Sequence, residues 1–243
     1  MFSRLFHVPR HLLARIPAMV PSSCAICGRE HGEAICDRCH AQFFAQSQTR
    51  CRQCAIPLPA TERGGVCGGC LKHPPAFDAT LVATDYLPPT DHLVLALKFG
   101  NRLELAPLFA RMLHQVAAEN QLPALLTAVP LGNRRLAERG FNQALEIAKP
   151  LARALGVKLD ARLVARQRET HAQSLLHPDE RRRNVRHAFV VPAGAMERVQ
   201  GQHIGVVDDV MTTGETLNEL AATLKRFGAA RVTNIVFART PHP

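Results

Sequence analysis

The chain has no tryptophan and a single tyrosine, Tyr86, among its 243 residues, so any stacking platform for unpaired bases has to be assembled from phenylalanine, histidine or arginine. Acidic residues are few: twenty Asp and Glu stand against thirty Lys and Arg, a formal net charge of +10. Lysine is also scarce, because twenty-five of those thirty cations are arginines. The planar guanidinium fork suits phosphate better than a point charge does, so anionic partners are favoured. No stretch approaches the roughly 18 uninterrupted apolar residues of a membrane-spanning helix. The N-terminal MFSRLFHVPRHLLARIPAMVP is broken by Arg4, His7, Arg10, His11 and Arg15, so it lacks the continuous core of a secretory signal. These absences predict a chain with no membrane span that stays in the cytoplasm.

What is present describes a globular protein. Apolar residues make up 47% of the chain and charged residues 21%, which excludes collagen-like, low-complexity and wholly disordered classes. The length suits one large domain or two unequal ones.

All eight cysteines fall before residue 71, as Cys24 and Cys27, Cys36 and Cys39, Cys51 and Cys54, Cys67 and Cys70. A two-residue gap lets both thiolates of a tight turn face one tetrahedral ion about 2.3 Å away, so four such turns supply two closed zinc sites of four thiolates each. Pairing in sequence order and a cross-braced arrangement both satisfy the spacing. A disulfide framework requires an oxidising compartment, and redox use of one Cys-x-x-Cys leaves three pairs unexplained. Few apolar residues lie between Cys24 and Cys70, so this module is expected to fold only with metal, and its two zinc ions to be structural. The expected organisation is a weakly ordered leader over 1–23, a double zinc-ribbon module over 24–75 ending at the Pro74–Pro75 doublet, and a larger domain over 76–243.

In that larger domain the pattern predicts a strand from Ala79 to Tyr86, a helix over roughly 92–98 that Lys98 ends, and a helix from Glu104 to Ala118. A strand from Leu125 to Val129 then leads into the basic loop LGNRRLAERGFNQ and a helix from Asn142 to Leu155. Strands at Ala188 to Val191 and His203 to Val207, a helix from about Thr213 to Phe227 and a strand at Val232 to Ala238 follow. Such alternation argues for a parallel sheet with helices on both faces. The positive excess is local: between Val129 and Val190 there are thirteen Lys or Arg and six Asp or Glu. Within that region the polar stretch from Arg166 to His187 reads as a long functional loop or a solvated connector.

The segment IGVVDDVMTTGETL, from Ile204 to Leu217, is the most informative. An apolar strand runs into two aspartates, then a Thr-Thr-Gly turn, then a helix. The first N–H groups of such a helix carry the positive end of its dipole and receive a phosphate. Gly214 permits close backbone approach, and Thr212, Thr213 and Thr216 add hydroxyl donors. No lysine is present, which separates this loop from a nucleoside-triphosphate P-loop. Two carboxylates before the cradle suit the vicinal hydroxyls of a ribose, so the segment reads as a ribose 5-phosphate site.

VVDDVMTTGET resembles the phosphoribosyl-pyrophosphate signature of type I phosphoribosyltransferases. With ALKFGN, VPLGNRRLAERGFNQA and RETHAQSLLHPDERRRNVRHAF in order behind the cysteine module, the chain is identified as a member of the ComF family. The resemblance implies a type I phosphoribosyltransferase fold preceded by zinc ribbons. It implies that Asp208 and Asp209 meet the ribose hydroxyls as the catalytic pair, and that Val210, Met211, Thr212, Thr213, Gly214, Glu215 and Thr216 hold the phosphoribosyl group. Lys98, Arg134, Arg135 and Arg139 would face pyrophosphate, with Arg168, Gln173, Arg181 and Asn184 on a closing loop and magnesium bridging pyrophosphate and ribose. The family also implies DNA uptake during transformation or DNA utilisation, with single-stranded DNA and uptake proteins as partners. Two readings follow: a phosphoribosyltransferase whose acceptor is open, and a non-catalytic zinc-containing single-stranded DNA-binding protein using the same sugar-phosphate site.

Overall fold

The computed structural model describes residues 22–44, 48–59, 65–167 and 187–241. Contacts divide the chain into two compact units between residues 46 and 47. The smaller carries a two-stranded antiparallel ribbon, β1 (Ser22–Ser23) with β2 (Glu30–His31), and helix α1 (Asp37–Phe43).

The larger unit begins with the second set of cysteine turns and the short helix α2 (Gly68–Lys72). Strand β3 (Ala79–Asp85), helices α3 (Thr90–Phe99) and α4 (Leu105–Ala118), and strand β4 (Leu125–Ala128) follow. Next come α5 (Asn133–Arg139), α6 (Gln143–Leu155), β5 (Lys158–Leu159) and β6 (Ala165–Arg166). Beyond the undescribed stretch lie β7 (Phe189–Val190), α7 (Met196–Val199), β8 (His203–Met211), α8 (Glu215–Arg226) and β9 (Arg231–Arg239). The sheet has order β3-β9-β8-β4-β5, every neighbouring pair parallel. β8, carrying the two aspartates, is therefore its central strand, and a ligand site is expected beyond the carboxyl ends of such strands.

Apolar layers cover both sides of the sheet. On α8, Leu217, Leu220, Ala221 and Leu224 are buried at helical spacing and join a cluster with Ile204 and Val206 of β8, as an amphipathic helix packed on a sheet requires. On α4 and α6, Leu105, Phe109, Leu113, Ile147 and Leu151 are fully buried, and Phe109 stacks on Phe237 of β9 with ring centroids 3.5 Å apart.

Four differences from the sequence expectations have physical causes. The basic loop after Pro130 contains helix α5, which buries no residue; an i,i+4 ion pair from Arg134 Nε to Glu138 at 2.9 Å and a left-handed C-cap at Gly140 sustain it. The strand at 189–190 lies outside the parallel sheet, pairing antiparallel with β6. The edge strand β5 is too short to show periodicity. Finally, the division by contacts falls between residues 46 and 47, so that the second cysteine set packs with the larger unit. Cys51, Ala55 and Cys70 are buried in one cluster with Phe77, Leu217 and Leu220. Arg52 O accepts from Thr80 N at 3.2 Å, and Arg50 Nη1 donates to both Ala55 O and Asp85 Oδ1. The second cysteine set is thus built into the larger unit. The expected leader lies outside the described residues, except for Ser22 and Ser23.

Candidate functional site

Asp208 and Asp209 occupy the end of β8, and α8 begins six residues after Asp209. Gly214, the residue before α8, has φ +87°, a left-handed conformation that favours glycine, and a Cβ there would sit 2.5 Å from the terminal methyl of Met211 and displace it. The turn therefore presents the N-terminal amides of a twelve-residue helix beside the carboxylates.

A cleft of about 620 Å3 opens at this point. Asp208, Asp209, Val210, Thr212 and Thr216 line it from the signature, and Lys98, Arg135, Arg139, Gln143 and Arg166 from elsewhere in the chain. Asp209 is buried and ion-paired to Lys98 Nζ at 2.5 Å. Gln143 Nε2 donates to Asp209 Oδ1 at 3.4 Å, and Arg139 Nη1 donates to Gln143 Oε1 at 2.9 Å. The same Arg139 lies over the Phe99 ring, 4.7 Å from its centroid. Arg135 contributes a buried Nη2 with no hydrogen-bond acceptor among the described residues.

The two carboxylates occupy different electrostatic environments. Burial, then repulsion from Asp209, drives the Asp208 carboxyl well above its ordinary pKa. For Asp209 burial acts in the same upward direction, but Lys98 and the hydrogen bonds from Lys98, Asp208 and Gln143 outweigh it and hold the group below the ordinary value. Burial pulls Arg139 below its usual pKa, Asp209 opposes this and Arg135 adds to it. The cleft thus combines a crowded acidic end with crowded guanidinium groups, the former suited to a cation or hydroxyl donors and the latter to an anion.

Not every expected site residue converges here. Arg134 is exposed and turned to Glu138, outside the cleft lining. Met211, Thr213, Gly214 and Glu215 line a second cleft, of about 670 Å3, whose other wall is the second cysteine set with Cys54, Cys67 and Cys70. Arg168, Gln173, Arg181 and Asn184 lie outside the described residues. The sequence reading missed Gln143, Phe99 and Arg166. Only the Asn142 N-cap, whose Oδ1 accepts from Ala144 N, marks Gln143 as the first residue of a helix aimed at the strand end.

The eight cysteines form two groups in sequence order, Cys24, Cys27, Cys36, Cys39 and Cys51, Cys54, Cys67, Cys70, with the sulfurs of each group within 4.8 Å of one another. Cys27 Sγ and Cys36 Sγ are 3.8 Å apart, and Cys54 Sγ and Cys67 Sγ 3.6 Å; a tetrahedron of ligands about 2.3 Å from zinc has edges of roughly 3.8 Å. The turns repeat each other. Gly28 N donates to Cys24 O and Ala55 N to Cys51 O, both residues with positive φ. Cys36 N and Cys67 N donate to the sulfurs of Cys24 and Cys51. Burial raises the Cys24 and Cys51 thiols, but amide donors overcome it and bring them to about 6 and about 7. Burial, followed by neighbouring sulfurs, pushes Cys39 up to about 12. A divalent cation relieves this mutual repulsion. Metal analysis of chain purified without chelator should find about two zinc ions per chain; none or one would overturn the assignment.

The phosphoribosyl transferase domain family matches residues 142–243, and the double zinc ribbon domain family matches 16–71. The DNA utilization protein YhgH of Salmonella typhimurium is 39% identical over 230 residues, covering 91% of this chain and 98% of its own. The chain belongs to the ComF/YhgH family. Competence protein F of Haemophilus influenzae is 30% identical over 204 residues, covering 82% of this ComF-family chain and 87% of that one. Among solved structures, the glutamine phosphoribosylpyrophosphate amidotransferase of B. subtilis aligns with TM-score 0.40 and 18% identity, over 58% of this chain and 30% of that one. The ComF-family chain thus joins a double zinc ribbon to a phosphoribosyltransferase domain, and among its described residues no helix is long and apolar enough to cross a membrane.

Proposed function

We propose that this ComF-family protein binds phosphoribosyl pyrophosphate with magnesium in the cleft at the end of β8 and acts as a phosphoribosyltransferase. The observation that carries the reading is the convergence of Asp208, Asp209 and the α8 N-terminus with Lys98, Arg135 and Arg139 around one cavity. The carboxylates accept from the ribose hydroxyls, and the amides and hydroxyls of 212–216 receive the 5-phosphate. Arg135 and Arg139 face the pyrophosphate. In the transfer step the C1–O bond breaks with its electron pair leaving on pyrophosphate, where guanidinium charge stabilises it. The acceptor's lone pair closes the new bond to C1, and the acceptor loses its proton to solvent.

The crowded carboxylates fit magnesium, since Asp208 offers oxygen to a hard cation that would relieve its repulsion with Asp209. When bound, the ion supplies further neutralisation of the pyrophosphate charge.

The relatives' names support a role in DNA utilisation or competence; single-stranded DNA and uptake proteins as partners, and the cytoplasm as location, are part of the proposal. Phe99, 66% exposed at the mouth beneath Arg139, favours a second reading in which single-stranded DNA occupies this rim and no turnover occurs. Pyrophosphate release from phosphoribosyl pyrophosphate, measured with and without single-stranded DNA, separates the two: release supports transfer, and DNA binding without release supports the second reading. Replacing Arg135 and Arg139 together by Ala should weaken phosphoribosyl pyrophosphate binding by at least about 100-fold, two charge-assisted contacts being worth roughly 1.5–3 kcal/mol each. If both touch DNA phosphates instead, the salt slope for single strands should flatten by about 1.4, or roughly 0.7 for each contact.

A further inference from the structure

Arg239, the last residue of β9, is 3% exposed and has no carboxylate partner among the described residues. A buried guanidinium is costly unless its donors and its charge are both answered. Nε and Nη1 are answered by backbone carbonyls, three of which lie on two functional segments. Nε donates to Cys54 O at 3.0 Å, within the second cysteine turn. Nη1 donates to Met211 O at 3.2 Å, to Thr212 O, and to Thr240 O at 2.6 Å. A single side chain therefore bridges a zinc knuckle and the start of the phosphate loop.

The guanidinium lies beside the second cysteine set through its contact with Cys54 O. Zinc held by four thiolates is formally dianionic, so the loaded second site supplies a counter-charge to it. Two other contacts join the same parts. Ala76 N, just past the second cysteine set, donates to Asn218 Oδ1 in the first turns of α8 at 2.7 Å. The cleft of about 670 Å3 is walled by Cys54, Cys67 and Cys70 on one side and by Met211, Thr213 and Gly214 on the other. Met211 is buried, and its methyl group packs where a Cβ on Gly214 would stand.

We infer that Arg239 is a positioning residue that makes the geometry of the phosphate loop conditional on zinc in the second four-cysteine site. By linkage, a ligand on the loop and zinc in the second site stabilise each other. The ligand part of this inference rests on the ribose-phosphate reading of the loop; the mechanical part does not.

The test uses the full chain with both zinc sites loaded and follows amide hydrogen exchange at residues 211–216, with Leu125–Ala128 of β4 as the internal control. Arg239→Lys keeps the charge but lacks the fork that reaches several carbonyls. It should retain two zinc ions and exchange at least about tenfold faster at 211–216 than the parent, with β4 unchanged. Cys67→Ser should accelerate the same amides, whereas Cys27→Ser, in the first site, should not. Where either variant fails to fold, stepwise chelation of the parent replaces it: the loop amides should speed up in step with the zinc released from the second site.

Unchanged exchange at 211–216 in folded Arg239→Lys, or after loss of the second zinc, overturns the inference. Equal acceleration at β4 also overturns it, by reducing Arg239 to general core stability. A loop that responds to zinc in a protein that does not bind phosphoribosyl pyrophosphate upholds the coupling and overturns the ligand assignment instead.

Discussion

Asparagine at position 208 should leave the chain folded and lower its magnesium-dependent affinity for phosphoribosyl pyrophosphate by at least about 100-fold, through loss of a charge-assisted hydroxyl contact worth roughly 1.5–3 kcal/mol and of an oxygen for the metal. The variant is clean because the lost charge is unfavourable in the free protein: Asp208 is pushed up by burial and by Asp209. Asp209→Asn is a poorer probe. It breaks the 2.5 Å ion pair with Lys98 and weakens the acceptor of Gln143, at a stability cost of about 2 kcal/mol. The pH dependence gives an independent check. A carboxyl whose folded pKa is raised binds its proton more tightly in the native state, so metal-free stability falls as pH rises from the ordinary Asp value of 3.8 through the raised one. Asp209 contributes oppositely, with stability lost as pH falls below 3.8 through its depressed value. Asp208→Asn should abolish the loss at higher pH and keep the loss at lower pH, measured by denaturant unfolding across the range. Binding by the variant equal to the parent's would remove Asp208 from the site.

Loss of the second zinc should be far more damaging to the larger unit than loss of the first. Cys51, Cys54 and Cys70 share a core cluster with Phe77, Leu217, Leu220 and Leu224, so an unfilled second site opens the packing under α8. Cys51→Ser should remove several kcal/mol and lower the main calorimetric transition on the order of 10 °C. Cys24→Ser, with a thiol equally buried but in the smaller unit, should leave that transition where it is. Equal shifts from the two variants would contradict the division of the chain between residues 46 and 47.

The features legible in the sequence were those written in adjacent residues. The two-residue cysteine gaps announced two closed metal sites because the gap itself sets the turn, and IGVVDDVMTTGETL placed a strand, a carboxylate pair and a helix N-terminus in order. Period-2 and period-3.6 patterning located the main strands and helices of the sheet domain. Features that depend on tertiary approach left no local pattern. Lys98, Arg139 and Asp209 entered the expected site only through the family resemblance, and Gln143, which meets them in the same cleft, was missed. Helix α5 escaped because it buries nothing and so shows no apolar period. Sequential and cross-braced cysteine pairings have the same spacing, so only the sulfur positions distinguish them. The expected boundary at Pro74–Pro75 followed composition, whereas the second cysteine set is tied across it by Arg50, Arg52, Cys54 and Arg239. Arg239 itself sits in no motif, and its role appears only where β9 ends beside both the knuckle and the loop.

The central claim, that the end of β8 is a phosphoribosyl pyrophosphate site, is tested most directly by calorimetric titration of the zinc-loaded chain with that ligand in the presence and absence of magnesium. The account predicts saturable binding of one ligand per chain that requires magnesium and is competed by inorganic pyrophosphate. Absence of saturable heat up to millimolar ligand with magnesium present, in a chain that carries both zinc ions, would contradict it.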